Sequence, residues 1–403
     1  MRSYSFLTIL LLCLAIFIVD ILAFYWLQSI TKFIPSKVLH NSIYIAFWIF
    51  SIGLVLAILL LKMRLDSILT RRKQLIISSL YGLTVSSFIP KLTFVIIISI
   101  LYYSNFIFSE TESVIIVPLV GLLSGFFPFF VILYGIFITV YRFKVYHHKI
   151  KFEELPRQFR GLRIVQLSDL HLGSFNYRYH ILKRAIDIIN QLKPDLIFIT
   201  GDLINNYSWE LKGWNKIFNE LNAKEGKFSV LGNHDYGDYS KWKSQQEKEK
   251  NLEEVKTFYK DIGFTLLLNE AELLKRNNES IAIIGVENWG LPPFKKYGNL
   301  SEAKESVLPV PFKILLSHDP THWKEEVVGK TDISLTFSGH THGMQAGFQY
   351  KNKRWSPIKY KYKHWSGLYG IGKNWLYVNR GLGWLGFPGR LGMRPEITFI
   401  ELI

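Results

Sequence analysis

The sequence predicts an α/β domain preceded by a bundle of transmembrane helices. Residues 1 to about 145 form an almost continuous apolar and aromatic stretch. The remainder alternates apolar runs with amphipathic stretches, as a mixed α/β domain does. An Asp, Asn or His follows five of those runs. The 403 residues have room for two to three domains. The chain divides into an anchor of about four helices (1–145), a basic juxtamembrane linker (146–160) and a globular domain (161–403).

A helix that crosses a bilayer needs roughly 20 mostly apolar residues. Four segments qualify, near 5–27, 42–62, 82–107 and 113–141. The third carries Pro90-Lys91, so Leu75–Ile89 is an alternative span. Asp20 lies inside the first segment, where an ionisable residue either serves a function or faces a neighbouring helix. One apolar segment follows another and no small-x-small cleavage site follows the first, which reads as an integral anchor and not a cleaved signal peptide.

Orientation follows from the basic residues of the short loops. Lys62, Arg64, Arg71, Arg72 and Lys73 lie between segments two and three, and Arg142, Lys144, Lys149 and Lys151 follow segment four. The first loop holds only Lys32 and Lys37, and the third, Ser109–Ser113, holds none. With four crossings both basic stretches face the cytoplasm, and so do the N-terminus and the globular domain. Three crossings would break this arrangement.

The single cysteine, Cys13, sits in the first apolar segment, which excludes an intramolecular disulfide framework and a Cys-rich zinc site. A net charge of +16 admits nucleic acid, anionic lipid or an acidic substrate as partner. In the linker, His147 and His148 read as interfacial polar residues, because no acidic or His partner stands at ligand spacing.

In the globular domain Leu162–Ser168 reads as a buried strand and Tyr177–Leu192 as an amphipathic helix ending before Pro194. Asp195–Thr200 and Phe228–Gly232 follow as strands, and Lys241–Lys260 as a charged helix. The later strands are Ile281–Val286, Phe312–Ser317, Ile333–Ser338, Trp375–Asn379 and Glu396–Leu402.

The informative feature is what those strands run into. They deliver Asp169-Leu-His171, Gly201-Asp202, Gly232-Asn-His-Asp235, His318 and Gly339-His-Thr-His342. Open α/β sheets place their ligand sites at the C-terminal strand edge. A spacing of two on extended backbone puts both side chains on one side. Asp169 with His171, and His340 with His342, can therefore each serve one metal centre. Asp202 follows a glycine, and its two oxygens can bridge ions; Asn233 offers an amide oxygen, and His318 and His340 imidazole nitrogens. Oxygen and nitrogen donors without sulfur suit Mn, Fe, Zn or Ni and not Cu(I) or Fe–S. Two such ions about 3.5–4 Å apart can activate water and neutralise the oxygens of a displacement at phosphorus. Alone, the first four motifs read as ordinary turns or loops, and His-x-His between glycines is the strongest single signal; five in this order, each after a strand, imply metal-assisted phosphoester hydrolysis.

This order of motifs is similar to that of the calcineurin-like metallophosphoesterase superfamily, over about Leu162 to Ile403. The tail "YVNRGLG…RLGMRPEITFIEL" resembles the branch containing bacterial membrane-associated phosphodiesterases and UDP-diacylglucosamine pyrophosphatases. The resemblance implies a two-sheet β-sandwich flanked by helices, with two divalent ions, manganese first, above the strand ends. It implies Asp169, His171 and His342 on one ion, Asn233, His318 and His340 on the second, and Asp202 bridging both. His234 then contacts the scissile phosphate and assists the leaving oxygen, with Asp235 as orienting partner. Met344 stands where this branch often has glycine, which narrows the space beside the site.

Between His342 and the tail, Lys351, Lys353, Arg354, Lys359, Lys361 and Lys363 are interleaved with Trp355, Tyr360, Tyr362 and Trp365, with no acidic residue among them. The mixture suits a single-strand nucleic-acid platform, a membrane-lipid surface or a solvated hairpin, and the anchor in the same chain favours lipid. The expected function is hydrolysis of a phosphodiester or pyrophosphate in a lipid-linked or membrane-proximal substrate, such as a nucleotide-diphosphate lipid, at the cytoplasmic membrane. Alternatives are the same chemistry on soluble nucleotides or nucleic acid, or an inactive binding module. Presence of all seven ligand candidates argues against the last.

Overall fold

The computed structural model describes residues 5–65, 68–108, 116–305, 309–350 and 353–403. They form two compact units, Arg2–Ile138 with Gly386–Gly389, and Thr139–Leu385 with Arg390–Ile403.

The first unit consists of α1 (Phe6–Thr31), α2 (Lys37–Arg64), α3 (Thr70–Phe108) and α4 (Ile116–Phe137). All four are long and apolar enough to cross a membrane. Ser5 and Ser36 start α1 and α2 by accepting from the backbone of Thr8 and Leu39. Pro90 lies inside α3, so the two alternative third spans are parts of one 39-residue helix. Proline is tolerated in such helices where neighbours satisfy the freed backbone groups. The Ser109–Ser113 loop lies outside the described residues.

Asp20 faces the neighbouring helices. It is buried, and Lys91 Nζ of α3 donates to its Oδ1 at 2.6 Å and to Ser51 Oγ of α2 at 2.9 Å. The ammonium also sits 4.6 Å from the centre of the Phe47 ring. Near the end of α1, Thr31 Oγ1 lies 3.1 Å from His40 Nε2 and 2.7 Å from Tyr44 Oη. One charged pair therefore ties three helices together where apolar contact with lipid would otherwise compete equally.

Among the described residues the second unit holds fourteen strands, numbered along the chain. They are β1 (Lys144–Ile150), β2 (Leu162–Leu167), β3 (Leu196–Thr200), β4 (Gly226–Val230), β5 (Thr265–Leu266), β6 (Glu270–Arg276) and β7 (Glu279–Gly285), then β8 (Lys313–Leu316), β9 (Leu335–Ser338), β10 (Phe348–Tyr350), β11 (Lys353–Trp355), β12 (Gly367–Ile371), β13 (Asn374–Val378) and β14 (Glu396–Leu402). Two six-stranded sheets result, β1-β14-β2-β3-β4-β5 and β12-β13-β9-β8-β7-β6, with β10-β11 as a separate hairpin. Ile164, Phe198 and Phe228 of the first sheet pack on Ile283, Ile314 and Phe337 of the second. This two-sheet sandwich is the expected architecture.

Helices cover the outer faces. Helices α5 (Tyr179–Gln191), α6 (Asn215–Phe218) and α7 (Gln245–Asp261) place Ile186, Phe218 and Tyr259 against the first sheet. Helix α8 (Leu300–Glu305) places Leu300 and Ala303 against the second.

Residues 146–150 of the stretch read from sequence as linker form most of β1, which pairs in parallel with β14. Its cationic, alternately exposed residues resemble a polar connector until β14 supplies the register. His147 and His148 rest on the rings of Phe399 and Tyr377.

Replacing Asp20 alone with Ala leaves Lys91 without its counterion, which costs about 3–5 kcal/mol for a buried pair. We expect a lower melting temperature in detergent, with most of the loss recovered by Asp20→Leu combined with Lys91→Leu. An unchanged melting temperature in Asp20→Ala would show that the pair does not hold the helices.

Candidate metal centre

Five strands meet at the site, three from one sheet and two from the other. The loops after β2, β3 and β4 carry Asp169 and His171, Asp202, and Asn233 to Asp235; those after β8 and β9 carry His318, and His340 and His342. The site thus lies where the C-terminal ends of strands from both layers come together.

The local backbone differs from the extended course expected. Asp169, His171, Asp202, His340 and His342 all have φ between 45° and 70°. Left-handed backbone is costly for residues with a Cβ and concentrates at functional sites. Side chains converge here because the chain turns sharply at each ligand candidate, not because of strand alternation. The glycines beside them permit close approach. A Cβ on Gly339 would overlap Ser168 Oγ and the Asp169 carboxylate, and one on Gly232 would overlap Asp202 Oδ1.

The polar atoms fall into two buried groups. Asp169, His171, Asp202 and His342 each place one donor atom within 4.8 Å of the others, as do Asp202, His318 and His340. Asp202 belongs to both. Its Oδ1 accepts from the His234 backbone N–H at 2.8 Å, while Oδ2 faces His318 Nε2 at 3.2 Å and His171 Nε2 at 3.8 Å. Asn233 joins the second group, with Oδ1 2.8 Å from His340 Nδ1 and 3.1 Å from His318 Nε2; its Nδ2 donates to Tyr239 Oη.

Hydrogen bonds identify which ring nitrogens face inward. His318 Nδ1 donates to Thr200 O at 2.7 Å, which leaves Nε2 as the nitrogen facing inward. That nitrogen lies 3.2 Å from His340 Nδ1, and His171 Nε2 lies 3.1 Å from His342 Nε2. Nitrogen lone pairs and carboxylate or amide oxygens aimed at common points are satisfied by cations. The buried Asp/His cluster fits a dinuclear divalent metal site.

His234 Nδ1 lies 2.7 Å from Asn205 O, which it reaches as a donor, so Nε2 is the nitrogen left for other partners. Asp235 is placed differently. Its two oxygens accept from the backbone N–H groups of Asp202, Leu203, Ile204 and Gly232 at 2.9–3.2 Å. The ring partner of His234 is thus the Asn205 carbonyl, while Asp235 joins the loops after β3 and β4. Met344 is 55% exposed.

Three participants have roles that the sequence patterns do not indicate, although Arg390 lies in the quoted tail and Tyr362 in the basic, aromatic run. Asn205 has no motif around it. Arg390, fully buried, donates to the carbonyls of Arg380, Gly381, Gly383 and Met393 and so shapes the segment beside Asp169. Tyr362, which reads in sequence as one of several surface aromatics, lies 2.8 Å from His340 Nε2 through its hydroxyl.

Charges are strongly coupled. Burial would raise both carboxylates, but His318 and His234 hold Asp202, and His342 holds Asp169, well below the usual carboxylate range. Burial would lower His318, yet the Asp202 carboxylate outweighs it and pushes the imidazole up to about 10. Burial lowers His171, His234 and His340. Burial, with Asp202 nearby, raises Asp235 to about 7 against its N–H donors.

Residues 162–344 match the family described as Calcineurin-like phosphoesterase. Residues 2–140 match the one described as Probable Calcineurin-like phosphoesterase, transmembrane domain. The chain is 32% identical over 279 residues to the uncharacterized metallophosphoesterase YkuE of Bacillus subtilis, covering 67% of this chain and 88% of that protein. It is 28% identical over 282 residues to a transmembrane protein with metallophosphoesterase domain of Danio rerio, covering 67% and 59%. To the uncharacterized metallophosphoesterase Cj0846 of Campylobacter jejuni it is 30% identical over 252 residues, covering 62% and 61%. The match thus spans about three fifths of the last two relatives.

His318 must lose a proton to ligate. Its value in the metal-free fold lies above the ordinary 6.5, so its proton stabilises that fold fully below pH 6.5 and stops doing so as pH rises through about 10. We therefore expect apparent metal affinity to rise about tenfold per pH unit between those limits and then level. Mn²⁺ titration across pH with a proton-release indicator measures this; an affinity flat from pH 7 to 9 contradicts it.

Proposed function

We infer that this chain, which belongs to the calcineurin-like phosphoesterase family, is a membrane-anchored hydrolase of phosphodiester or pyrophosphate bonds that works with two divalent ions. The observation that carries the reading is the pair of buried His/Asp groups sharing Asp202. Asp169, His171 and His342 would hold one ion, Asn233, His318 and His340 the other, and Asp202 would serve both. Manganese is the preferred metal, with Fe, Zn or Ni as alternatives. When bound, the ions polarise phosphoryl oxygens and provide an activated water at neutral pH.

The chain's own groups do the rest. Thr200 O and Tyr362 hold the outer nitrogens of His318 and His340. Asp235 fixes the loop that presents Asp202, and the His234 N–H keeps one Asp202 oxygen in place. The Asn205 carbonyl fixes the His234 proton on Nδ1 and leaves Nε2 to meet the substrate phosphate. Assistance to the leaving oxygen by a group in that place contributes typically 10²–10⁴-fold.

The substrate we favour is lipid-linked or membrane-proximal, such as a nucleotide-diphosphate lipid, processed on the cytoplasmic side. Its support is the four apolar helices in the same chain, the excess of basic residues in their even-numbered connections, and exposed Met344, Phe348 and Tyr360 among Lys359 and Lys361. Hydrolysis of soluble nucleotides or nucleic acid is the second reading, supported by the same basic and aromatic residues.

Asp202→Ala should lower bound metal and abolish phosphodiester hydrolysis; unchanged turnover removes Asp202 from the bridging role. His234→Ala should keep both ions and lose about 10²–10⁴-fold in kcat, and loss of metal would make it a ligand instead. Comparing nucleotide-linked lipids, phospholipids and nucleotides with the Mn²⁺-loaded chain in detergent decides the substrate. Equal rates on acylated and soluble substrates would remove the lipid preference.

A further inference from the structure

The basic, aromatic stretch after the histidine pair is not uniformly a surface. Tyr360 is 79% exposed, whereas Tyr362 is 6% exposed and packs with Trp365, Met393 and Ile358. The stretch is fastened to the His340–His342 loop at two places. Thr341 Oγ1 donates to Trp365 O at 2.6 Å, and Ser356 Oγ donates to Gly343 O at 2.8 Å. Between these fastenings the Tyr362 hydroxyl meets His340 Nε2 at 2.8 Å. Phe294 closes another side of the ring, edge-on at 4.8 Å.

His340 Nδ1 is the nitrogen that joins Asn233 Oδ1 and His318 Nε2. For Nδ1 to offer its lone pair there, Nε2 must carry the proton and give it to an acceptor. Asp319 is the nearby carboxylate, but its Oδ2 stands 3.6 Å away, beyond hydrogen-bond reach, and its Oδ1 is engaged by the Thr321 N–H and hydroxyl. The tyrosine oxygen is the acceptor in place. Such outer partners fix the tautomer and orientation of a ligating imidazole, and losing one typically costs 10–100-fold in metal affinity.

We propose that Tyr362 is a positioning residue of the second metal site, holding His340 in the tautomer that binds through Nδ1, so that this strap completes the metal centre. The proposal rests on the dinuclear reading above. Its test is Mn²⁺ titration of the metal-free, full-length chain in detergent, followed by calorimetry and by the electron paramagnetic resonance signal of a coupled Mn²⁺ pair. Wild type should bind two ions and show the coupled signal. Tyr362→Phe, which keeps the ring and its packing, should bind the first ion as wild type does, bind the second about 10–100-fold more weakly, and lose the coupled signal at two equivalents. Trp365→Phe disturbs the same apolar cluster without touching the hydroxyl and should leave both sites intact; loss of the second site in this variant as well would assign the effect to packing and overturn the proposal. Two sites of wild-type affinity in Tyr362→Phe would also overturn it. Uptake of fewer than two ions by wild type would instead bring down the dinuclear reading, and the proposal with it.

Discussion

The four backbone N–H groups that converge on Asp235 are the contact on which the site depends. They come from Gly232 at the end of β4 and from Asp202, Leu203 and Ile204 after β3, so one buried carboxylate joins two loops of the same sheet. With those loops joined, Asp202 has one oxygen held by the His234 N–H and the other left facing His318 and His171. A carboxylate shared by two sites must be fixed before either site exists. A free loop would rotate it toward solvent, because each buried charge loses hydration it can recover outside.

The same constraint explains the backbone. Polar side chains set about 3 Å apart can meet only if the chain turns sharply at each of them, and those turns carry strain that the rest of the fold offsets. The strain is visible as left-handed φ at five of the seven candidate ligands. The offset is the apolar layer between the two sheets, where Ile164, Phe198, Ile314 and Phe337 are fully buried. Cations bound among these donors would add to that offset, and metal binding and fold stability would then be linked in this domain.

In the membrane unit the Asp20–Lys91–Ser51 contact has the corresponding role on a smaller scale. Apolar side chains gain little by leaving lipid for one another, so a polar contact among α1, α2 and α3 has a specificity that leucine packing lacks. A charge inside a span therefore reads as inward-facing, and Asp20 is so placed.

Much of this was legible in the amino-acid order. Apolar length alone marks the four helices, and period and turn residues mark β2, β3, β4, β8 and β9. The donor set after those strands points to oxygen- and nitrogen-ligated metals and phosphoester chemistry, because residue types limit what a site can bind. Legibility stopped where partners are distant in sequence. Strand β1 has polar, exposed residues and becomes a strand only through β14, some 250 residues away. Asp235 sits beside His234 in sequence, yet it serves backbone groups near residue 203 while the Asn205 carbonyl takes the histidine. Tyr360 and Tyr362 look alike in a run of lysines and aromatics, and only packing sends one outward and the other to His340. The sequence by itself determined which atoms are available, since that depends on residue type and local period. The tertiary structure decided which nitrogen faces inward and which oxygen holds it there, since a hydrogen bond depends on three-dimensional distance and not on spacing along the chain.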